Sequence, residues 1–371
     1  MKKIKVMTIF GTRPETIKMA PLVKELKARE ETQCIVCVTA QHRQMLDQVL
    51  NAFNIKPDYD LDIMKPGQTL SDITINVLKG LEDAIKEVKP DIVLVHGDTT
   101  TTFSGALAAF YQQVAVGHVE AGLRTYNKYS PFPEEVNRQF VGIVADMNFA
   151  PTEQSRQNLI NEGKNPDTIV VTGNTAIDAL RTTVRSDYTS EITEWAKDSR
   201  LIVLTAHRRE NLGEPLHRMF RAIRRIVSEY TDVKVVYPVH LNPAVREAAN
   251  EELSGCDRIK LIEPQEVVDF HNLLARSYLI LTDSGGIQEE APSLGKPVIV
   301  LRDTTERPEG IKAGTLKLAG TDEENIYRLI AQLLTDKEEY MKMSSASNPY
   351  GDGLASRRIA DAIIEKFSDK E

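Results

Sequence analysis

Acidic side chains that follow short apolar stretches are the residues of this sequence best suited to chemistry. Asp98 follows isoleucine, valine and leucine residues in HGDT, and Glu120 follows a small apolar stretch in GHVEAGLR. Glu134 and Arg138 lie four residues apart in SPFPEEVNRQF. Carboxylates at the ends of buried strands can take and return protons. Two simpler interpretations stay open, that Asp98 caps a helix and that Glu134 forms a surface ion pair with Arg138.

Two histidines occupy similar positions in the second half of the chain. His207 follows a strand-like stretch in TAHRREN, and His240 follows another in PVHLNP. Either histidine alone is more typical of a hydrogen-bonded structural residue, but the two together indicate a polar site. The motifs contain no H-x-x-H, H-E-x-x-H or D-x-D, so we do not predict a metal. Ser284 lacks the G-x-S-x-G elbow of a nucleophile.

The segment TDSGGIQEEAP predicts an anion site. The preceding residues are typical of a buried strand and the following ones of a helix, so the glycines lie where backbone N–H groups point outward. A nucleoside diphosphate fits this pattern. Its pyrophosphate would take the N–H groups of Ser284, Gly285 and Gly286, and Glu290 would accept the ribose hydroxyls.

A second anion-binding loop is indicated near the start of the chain. GTRPE follows the first strand and opens a helix, with Arg13 in the loop and Lys18 one turn further. It is not a G-x-G-x-x-G dinucleotide loop, and a tight turn with a solvated arginine remains an alternative.

Strand-like stretches that alternate with amphipathic helices must position these residues. Such strands are expected at Lys5 to Phe10, Cys34 to Thr39, Ile92 to Val95, Leu201 to Thr205, Val233 to Tyr237, Leu279 to Thr282 and Val298 to Leu301. The alternation predicts an α/β fold of two Rossmann-like, doubly wound domains facing a central cleft. We expect domains at 1–172 and 173–356, with a C-terminal helix at 357–371 that packs back on the first.

Composition narrows the class of protein. The 371 residues are 41% hydrophobic and 27% charged, with a net charge of −8, which argues against nucleic-acid and membrane-surface partners. No stretch is long and apolar enough for a membrane span, and we expect a cytoplasmic protein with small-molecule partners. Cys34 and Cys37 form a C-x-x-C, but a strand would point them to opposite faces, so we interpret them as structural thiols.

The motifs together resemble those of a known family. GTRPE, HGDTTT, HVEAGLRT, SPFPEE-x-NR, TAHRREN, PVHLNP, DSGGIQEEAPSLGKP and RDTTERPE occur in the order found in bacterial non-hydrolysing UDP-N-acetylglucosamine 2-epimerases. The resemblance extends from Ile4 to about Arg358. It implies a B-type glycosyltransferase fold, a cytoplasmic homodimer and no cofactor. It also implies interconversion of UDP-GlcNAc and UDP-ManNAc through 2-acetamidoglucal, which supplies ManNAc for cell-wall and capsular polysaccharides.

The resemblance also implies roles for individual residues. The catalytic residues would be Asp98, Glu120, Glu134, Arg138 and His207. The residues that bind UDP would be Arg13, Lys18, His240, Phe270, Ser284, Gly285, Gly286, Glu290 and Arg307. A second UDP-GlcNAc, bound as an allosteric activator, would contact Gln41, His42, Gln44, Gln68, Glu134 and Arg208. Gly67 precedes Gln68 where family members carry arginine, so we expect weaker activation.

Three alternatives remain at this stage. A UDP-sugar glycosyltransferase shares the fold but needs an acceptor groove. A hydrolysing 2-epimerase would release ManNAc and UDP. A UDP-sugar-binding regulator without turnover is disfavoured by the intact Asp98, Glu120, Glu134 and His207.

Overall fold

The computed structural model describes residues 2–40, 43–65, 67–305 and 307–368, apart from the side chain of Gln44. It divides into two compact units. Unit 1 contains the described residues up to Thr182 together with those from Tyr350 onward, and unit 2 is Thr183–Pro349.

Unit 1 contains a parallel sheet in the order β3-β2-β1-β4-β5-β6-β7. Its strands are β1 (Ile4–Phe10), β2 (Thr32–Val38), β3 (Tyr59–Asp60), β4 (Ile92–His96), β5 (Ala115–Val119), β6 (Met147–Ala150) and β7 (Ile169–Val171). Its helices are α1 (Arg13–Ala28), α2 (Arg43–Ala52), α3 (Leu70–Val88), α4 (Thr100–Tyr111), α5 (Glu134–Val144), α6 (Glu153–Asn161), α7 (Thr175–Thr183, whose last residue is assigned to unit 2) and the C-terminal α16 (Ala355–Ser368).

Unit 2 contains a second parallel sheet in the order β10-β9-β8-β11-β12-β13. Its strands are β8 (Arg200–Thr205), β9 (Val233–Pro238), β10 (Ile259–Ile262), β11 (Leu279–Thr282), β12 (Val298–Val300) and β13 (Leu316–Leu318). Its helices are α8 (Glu191–Trp195), α9 (Glu214–Glu229), α10 (Pro243–Leu253), α11 (Val267–Arg276), α12 (Gly285–Ser293), α13 (Pro308–Ala313), α14 (Glu323–Thr335) and α15 (Lys337–Ser344).

The strands explain why the sheets are covered on both faces. In β8, Ile202 and Leu204 belong to one buried apolar cluster, whereas Leu201 and Val203 belong to another. Successive strand residues point to opposite faces, so a continuous apolar strand requires helices on both sides. The predicted α/β class with two parallel sheets is confirmed.

The C-terminal segment is anchored to unit 1. Asn174 donates its backbone N–H to the carbonyl of Tyr350, and the Asp178 carboxylate accepts the backbone N–H groups of Ala355 and Ser356. These bonds explain why the first unit extends to Thr182, whereas the sequence predicts that the first domain ends at residue 172. They also place the residues just before 357 in unit 1.

Two further features bear on the sequence analysis. β2 contains both Cys34 and Cys37, and burial raises the pKa of each thiol to about 12, as expected for structural cysteines. Within the described residues, we find no helix with the length and apolar character needed to cross a membrane.

Candidate active site

The first turns of α1, which follow β1 closely, hold the first two cationic candidates of unit 1. Arg13 is the first residue of α1, and Thr12 precedes it as the N-cap. Lys18, one turn along α1, forms an ion pair with Glu120, and the two side chains are 16% and 9% exposed. The resemblance implies that Lys18 binds UDP, and in the structure its ammonium group pairs with a candidate catalytic carboxylate.

Glu15 is a buried acid that the sequence analysis did not single out. Its side chain is 3% exposed. It accepts the backbone N–H groups of Gly11 and Thr12 at 3.1 and 2.8 Å, and the hydroxyls of Thr99 and Thr102 at 2.8 and 3.1 Å. Burial raises the pKa of Glu15, although hydrogen bonds from the side chains of Thr12 and Thr99 and from the backbone N–H groups of Gly11 and Thr12 oppose the rise. The Thr12-x-x-Glu15 spacing is a capping-box signal that could have revealed part of this role.

Asp98 is available for chemistry because a neighbouring residue caps the helix. The Thr99 hydroxyl accepts the N–H of Thr102 and is the N-cap of α4, so the interpretation of Asp98 as a helix cap is wrong. Asp98 instead forms an ion pair with Arg138, and the Asp98 carbonyl accepts the amide of Asn137 at 2.9 Å. Burial raises the pKa of Asp98, with Arg138 opposing the rise and Glu120 adding to it.

Glu120 lies immediately after β5 in a conformation that is unusual for a residue with a side chain. Its φ is +64°, in the left-handed region that a non-glycine residue adopts only at a cost. Its Oε2 accepts from Lys18 and, at 2.9 Å, from the amide of Asn174. The buried ring of His96 lies 3.8 Å from the same oxygen, and burial lowers the pKa of His96 to about 4. Oε2 of Glu120 therefore contacts the ammonium group of Lys18 and the neutral amide of Asn174, beside the ring of His96.

The helix α5 contributes two acids with different environments. Glu134 is its first residue and is half-buried, and the neighbouring Glu135 is fully buried. Glu135 accepts the backbone N–H groups of Thr125 and Tyr126, each at 3.0 Å, which anchors the preceding loop. Arg138 contacts Asp98 and Glu135 rather than Glu134, so the proposed surface ion pair with Glu134 is wrong.

In unit 2, the two histidines come together after β8 and β9. The rings of His207 and His240 stack, with centroids 5.2 Å apart and planes inclined by 12°. The fully buried Asp283 accepts the backbone N–H groups of His207 and Arg208 at 2.7 and 2.8 Å. Burial lowers the pKa of His207, whereas Asp283 raises it. The role of Asp283 was missed, although it lies within the TDSGG segment.

Two arginine side chains lie beside the N-terminus of α12, and we call this group the basic pocket. Ser284 is its N-cap and Gly285 its first residue, as expected for a strand-to-helix turn. A Cβ atom at Gly285 would lie 3.8 Å from Nη2 of Arg307 and 3.9 Å from Nη2 of Arg208. Two guanidinium groups therefore converge on helix N–H groups, which is an arrangement suited to phosphate oxygens. Arg307 is also held by the buried Glu289.

Two further UDP candidates lie on two helices of unit 2, Glu290 on α12 and Phe270 on α11. Glu290 is half-buried, with Oε2 3.6 Å from Nε2 of the buried His271 and Oε1 3.6 Å from a Cβ position at Gly286. Phe270 is half-buried on α11, next to His271. A carboxylate one turn inside the helix and an aromatic ring are compatible with ribose and base.

The residues expected to bind an activator are only partly visible. Gln41 and His42 lie outside the described residues, as does the side chain of Gln44. Gln68 is half-buried and accepts the N–H of Lys65 at 2.7 Å. Gly67 has a φ of +78°, and no atom lies within 4 Å of a Cβ added there. Arg208 belongs to the basic pocket at α12.

The structure therefore brings the sequence candidates into two groups. Unit 1 groups Lys18, Asp98, Glu120 and Arg138 at the ends of β4 and β5. Unit 2 groups His207 with His240, and Arg208 and Arg307 with Gly285. Among the described residues, no cluster of three or more histidine, cysteine, aspartate or glutamate side chains could hold a metal ion.

Comparison with known proteins identifies the class. A family model described as UDP-N-acetylglucosamine 2-epimerase matches residues 24–364. The UDP-N-acetylglucosamine 2-epimerase of Bacillus subtilis is 69% identical over 364 residues, or 98% of this chain and 96% of the relative. A crystal structure of a UDP-N-acetylglucosamine 2-epimerase superposes with a TM-score of 0.93 and 66% identity, covering 100% of this chain and 98% of the other.

A third comparison includes a ligand. The crystal structure of UDP-GlcNAc 2-epimerase from Neisseria meningitidis bound to UDP-GlcNAc has a TM-score of 0.88 and 51% identity, covering 98% of this chain and 100% of the other. The two parallel α/β units thus belong to the B-type glycosyltransferase class of folds, as predicted. Within that class, the chain belongs to the UDP-N-acetylglucosamine 2-epimerase family.

Proposed function

We propose that this protein is a non-hydrolysing epimerase that interconverts UDP-GlcNAc and UDP-ManNAc. Family membership supports the substrate, because the related Neisseria enzyme is described as bound to UDP-GlcNAc. The observation that carries the proposal is the pair of carboxylates, Asp98 and Glu120, at the ends of neighbouring strands, each held by its own cation. Proton removal and return at one carbon require two such groups.

The proposed reaction is an elimination followed by a re-addition. A carboxylate removes the proton at C2 while the bond from C1 to the UDP oxygen breaks, so that UDP departs as an anion and 2-acetamidoglucal remains. UDP then adds again at C1, and a proton returns to the opposite face of C2. Asp98, Glu120 and Glu134 are the proposed acid and base residues, with Arg138 and His207 in support.

UDP is proposed to bind in unit 2. The N–H groups of Gly285 and Gly286 and the guanidinium groups of Arg208 and Arg307 suit the diphosphate, because both carry positive charge to one place. The N–H of Ser284 donates to the hydroxyl of Thr282 at 2.9 Å, so Ser284 is proposed to contribute its own hydroxyl. The remaining proposed contacts to the nucleotide are Arg13, Lys18, His240, Phe270 and Glu290. The guanidinium, ammonium and backbone N–H groups among them stabilise the negative charge that develops as UDP leaves.

The test is proton NMR in D₂O with UDP-GlcNAc as substrate. We expect UDP-ManNAc with deuterium at C2, because the proton that is returned comes from a carboxylate in exchange with solvent. Epimerised product that keeps its original hydrogen would contradict the mechanism. Free sugar as the main product would identify a hydrolysing enzyme, and sugar transfer to an added acceptor would identify a glycosyltransferase.

We also propose activation by a second UDP-GlcNAc, at a site that includes Gln41, His42, Gln44, Gln68, Glu134 and Arg208. Gly67 stands where the resemblance implies an arginine. No atom lies within 4 Å of a Cβ there, although its φ of +78° is one that residues with a side chain adopt only at a cost. A lost charge-assisted hydrogen bond is worth about 1.5 to 3 kcal/mol, or roughly ten- to a hundredfold in affinity.

The activator proposal is tested by starting from UDP-ManNAc alone and titrating in UDP-GlcNAc. Gly67→Arg should lower the half-activating concentration relative to wild type. A reverse reaction that runs at full rate without UDP-GlcNAc would exclude an activator. An unchanged half-activating concentration in Gly67→Arg would mean that this loop does not tune the site.

A homodimer is proposed through unit 1. Phe110, Tyr111, Phe140 and Ile143 on α4 and α5 are 55%, 61%, 49% and 69% exposed, and a groove of about 100 Å³ lies between the two helices. Such an apolar face favours an isologous contact with a second copy. Light scattering should give twice the 41.5 kDa chain mass, and Ile143→Glu should give monomers, unlike Ile311→Glu in unit 2. A monomeric wild type would refute this proposal.

We propose a cytoplasmic location and a supply of ManNAc to cell-wall or capsular polysaccharide. Nucleotide sugars are used by enzymes that build such polymers, and family membership is the support for this role. Deletion of the gene should deplete cellular UDP-ManNAc, measured by mass spectrometry of nucleotide-sugar extracts. A pool that stays unchanged would contradict this role.

A further inference from the structure

Asp283 has more contacts than a side chain that only fills the core. It follows β11 directly, is fully buried, and uses Oδ2 to accept three N–H donors. The donors are the backbone N–H of His207 at 2.7 Å, that of Arg208 at 2.8 Å, and the amide of Asn211 at 3.2 Å. One carboxylate oxygen therefore fixes the loop after β8.

The other carboxylate oxygen faces the ring of His207. Oδ1 of Asp283 has no hydrogen-bond partner among the described residues, and it lies 3.3 Å from Nδ1 of His207. An unprotonated Nδ1 would oppose its lone pair to that buried oxygen, although the His207 side chain itself is 38% exposed. Because a buried acceptor without a donor is costly, the proton of neutral His207 belongs on Nδ1.

His240 adopts the opposite tautomer. Its Nδ1 accepts the backbone N–H of Asn242 at 3.1 Å, and a backbone N–H can only donate. When His240 is neutral, its proton is therefore on Nε2. The stacked pair thus contains one ring with an acceptor Nε2, on His207, and one ring with a donor Nε2, on His240.

We propose that Asp283 is a positioning residue that holds His207 as the Nδ1–H tautomer, so that Nε2 is the only ring atom that exchanges a proton beside the substrate diphosphate. This inference rests on the proposed function for the identity of the ligand. A proton taken from solvent at Nε2 when the diphosphate binds makes that atom a charged donor to phosphate. The same proton returns to solvent when UDP is released, so the cycle is balanced.

The charged and titratable groups around His207 have opposing effects on its pKa, as this proton exchange requires. Asp283 favours the imidazolium form, whereas His240 and Arg208 disfavour it. Tyr237, on the neighbouring β9, donates its hydroxyl to the carbonyl of Ala206 and feels the charge of Asp283. The balance keeps His207 neutral until an anion approaches.

Asp283→Asn separates the positioning role from a structural one. The amide oxygen of asparagine can accept the three N–H donors, and its NH₂ group then faces Nδ1 of His207. Nδ1 must become the acceptor, which moves the proton to Nε2. The loop stays in place while the tautomer reverses. Asp232→Asn, at an exposed ion pair with Arg200 in the same unit, is the matched control.

The first measurement is ¹⁵N NMR of histidine-labelled protein, with the His207 signals assigned by their loss in His207→Gln. We expect Nδ1 to be protonated in wild type and in Asp232→Asn, and Nε2 to be protonated in Asp283→Asn. Wild-type His207 with its proton on Nε2 would overturn the proposal, and this measurement needs no variant of Asp283 to fold.

The second measurement is turnover. Asp283→Asn should lower kcat roughly 10²-fold or more, a usual scale for lost proton transfer, and should weaken UDP binding up to about tenfold, because a neutral Nε2–H replaces the charged donor. The basic limb of its pH–rate profile should move to lower pH, because loss of the carboxylate destabilises the imidazolium that donates to the phosphate. The double variant with His207→Gln should be no slower than the slower single variant. Unchanged kcat in Asp283→Asn would overturn the proposal.

The two measurements distinguish this inference from the proposed function. If the wild-type protein does not epimerise UDP-GlcNAc, the proposed function is refuted. The ¹⁵N NMR measurement of the His207 tautomer still shows in that case whether Asp283 positions the ring. Normal epimerisation with an Nε2–H tautomer refutes the inference alone.

Discussion

Gly122→Ala should destabilise unit 1 and slow the reaction, because this glycine holds the turn that carries Glu120. Gly122 has a φ of +87°, and a Cβ atom there would lie 2.2 Å from the carbonyl oxygen of Ser155 and 2.8 Å from its carbon. Ser155 belongs to α6, whose backbone is fixed by its own hydrogen bonds, and Asn158 of α6 also donates to the carbonyl of Gly122 at 2.9 Å. Neither side of the contact can move cheaply.

The cost has two parts that a second glycine can separate. A left-handed conformation costs an alanine about 1 to 2 kcal/mol, and forcing a methyl group against packed atoms costs roughly 1 to 3 kcal/mol more. Gly163 has nearly the same φ, +82°, but nothing lies within 4 Å of its Cβ position. Gly163→Ala therefore carries the conformational cost alone. The free energy of unfolding should fall about 1 to 3 kcal/mol further in Gly122→Ala than in Gly163→Ala.

The assay is urea unfolding followed by far-ultraviolet circular dichroism, with the fluorescence of Trp195 as the probe of unit 2. Gly122→Ala should lower the free energy of unfolding more than Gly163→Ala does. It should also lower kcat, because a displacement of about 1 Å at a catalytic group can cost roughly 10²-fold. Equal stability and equal kcat in the two variants would show that the contact with Ser155 is easily relieved and the reasoning is wrong.

The remaining predictions concern the charged groups of the site. Glu120→Gln and Asp98→Asn should each lower kcat by roughly 10²-fold or more while calorimetry still detects UDP binding, and near-normal turnover would remove that residue from the catalytic set. Arg307→Met should weaken UDP binding about ten- to a hundredfold, whereas the exposed Arg225→Met should not, and equal affinities would exclude Arg307 from the pocket. EDTA should leave the rate unchanged, and activity lost to chelator and restored by Mg²⁺ would contradict metal-free catalysis. Burial lowers the pKa of His96 from 6.5 to about 4, so the stabilisation from its neutral form is present above pH 6.5 and is lost as the pH falls towards 4. The free energies of unfolding of wild type and His96→Gln, measured by urea titration, should converge as the pH falls over that range. A difference that stays constant with pH would show that the pKa of His96 is not lowered by burial.

The sequence predicted the framework well because buried parallel strands have a strong pattern. All seven predicted strands occur in the structure, including β2 with its misleading C-x-x-C. The strand-to-helix turn before Gly285 was also predicted, since glycine and serine follow a continuous apolar stretch. Local composition is sufficient for such features.

The contacts of the site were harder to predict because they join distant parts of the chain. Arg138 is four residues from Glu134, yet it contacts Asp98, which is forty residues away in sequence. Asp98 and Thr99 are equally plausible helix caps by residue type, and only the structure assigns the cap to Thr99. Pairing of this kind depends on which strands are neighbours in the sheet, and spacing along the chain does not contain that information.

The buried acids Glu15 and Asp283 occupy equivalent places in the two units. In unit 1, β1 lies between β2 and β4, and Glu15 joins the loop after β1 to that after β4. In unit 2, β8 lies between β9 and β11, and Asp283 joins the loop after β8 to the end of β11. Each acid therefore lies at the point where the strand order reverses.

At such a point, the connections from neighbouring strands run to opposite faces of the sheet and leave a crevice between the two loops. Glu15 accepts hydrogen bonds from both loops beside the crevice of unit 1. Asp283 follows one strand and accepts hydrogen bonds from the loop after the neighbouring strand. Each acid therefore fixes the shape of its crevice before any ligand binds. Because protein donors occupy the oxygens of Glu15 and Oδ2 of Asp283, much of their negative charge is balanced internally. The N-terminus of α12, with Arg208 and Arg307, can then act as a preformed anion site, and less reorganisation opposes the departure of a diphosphate.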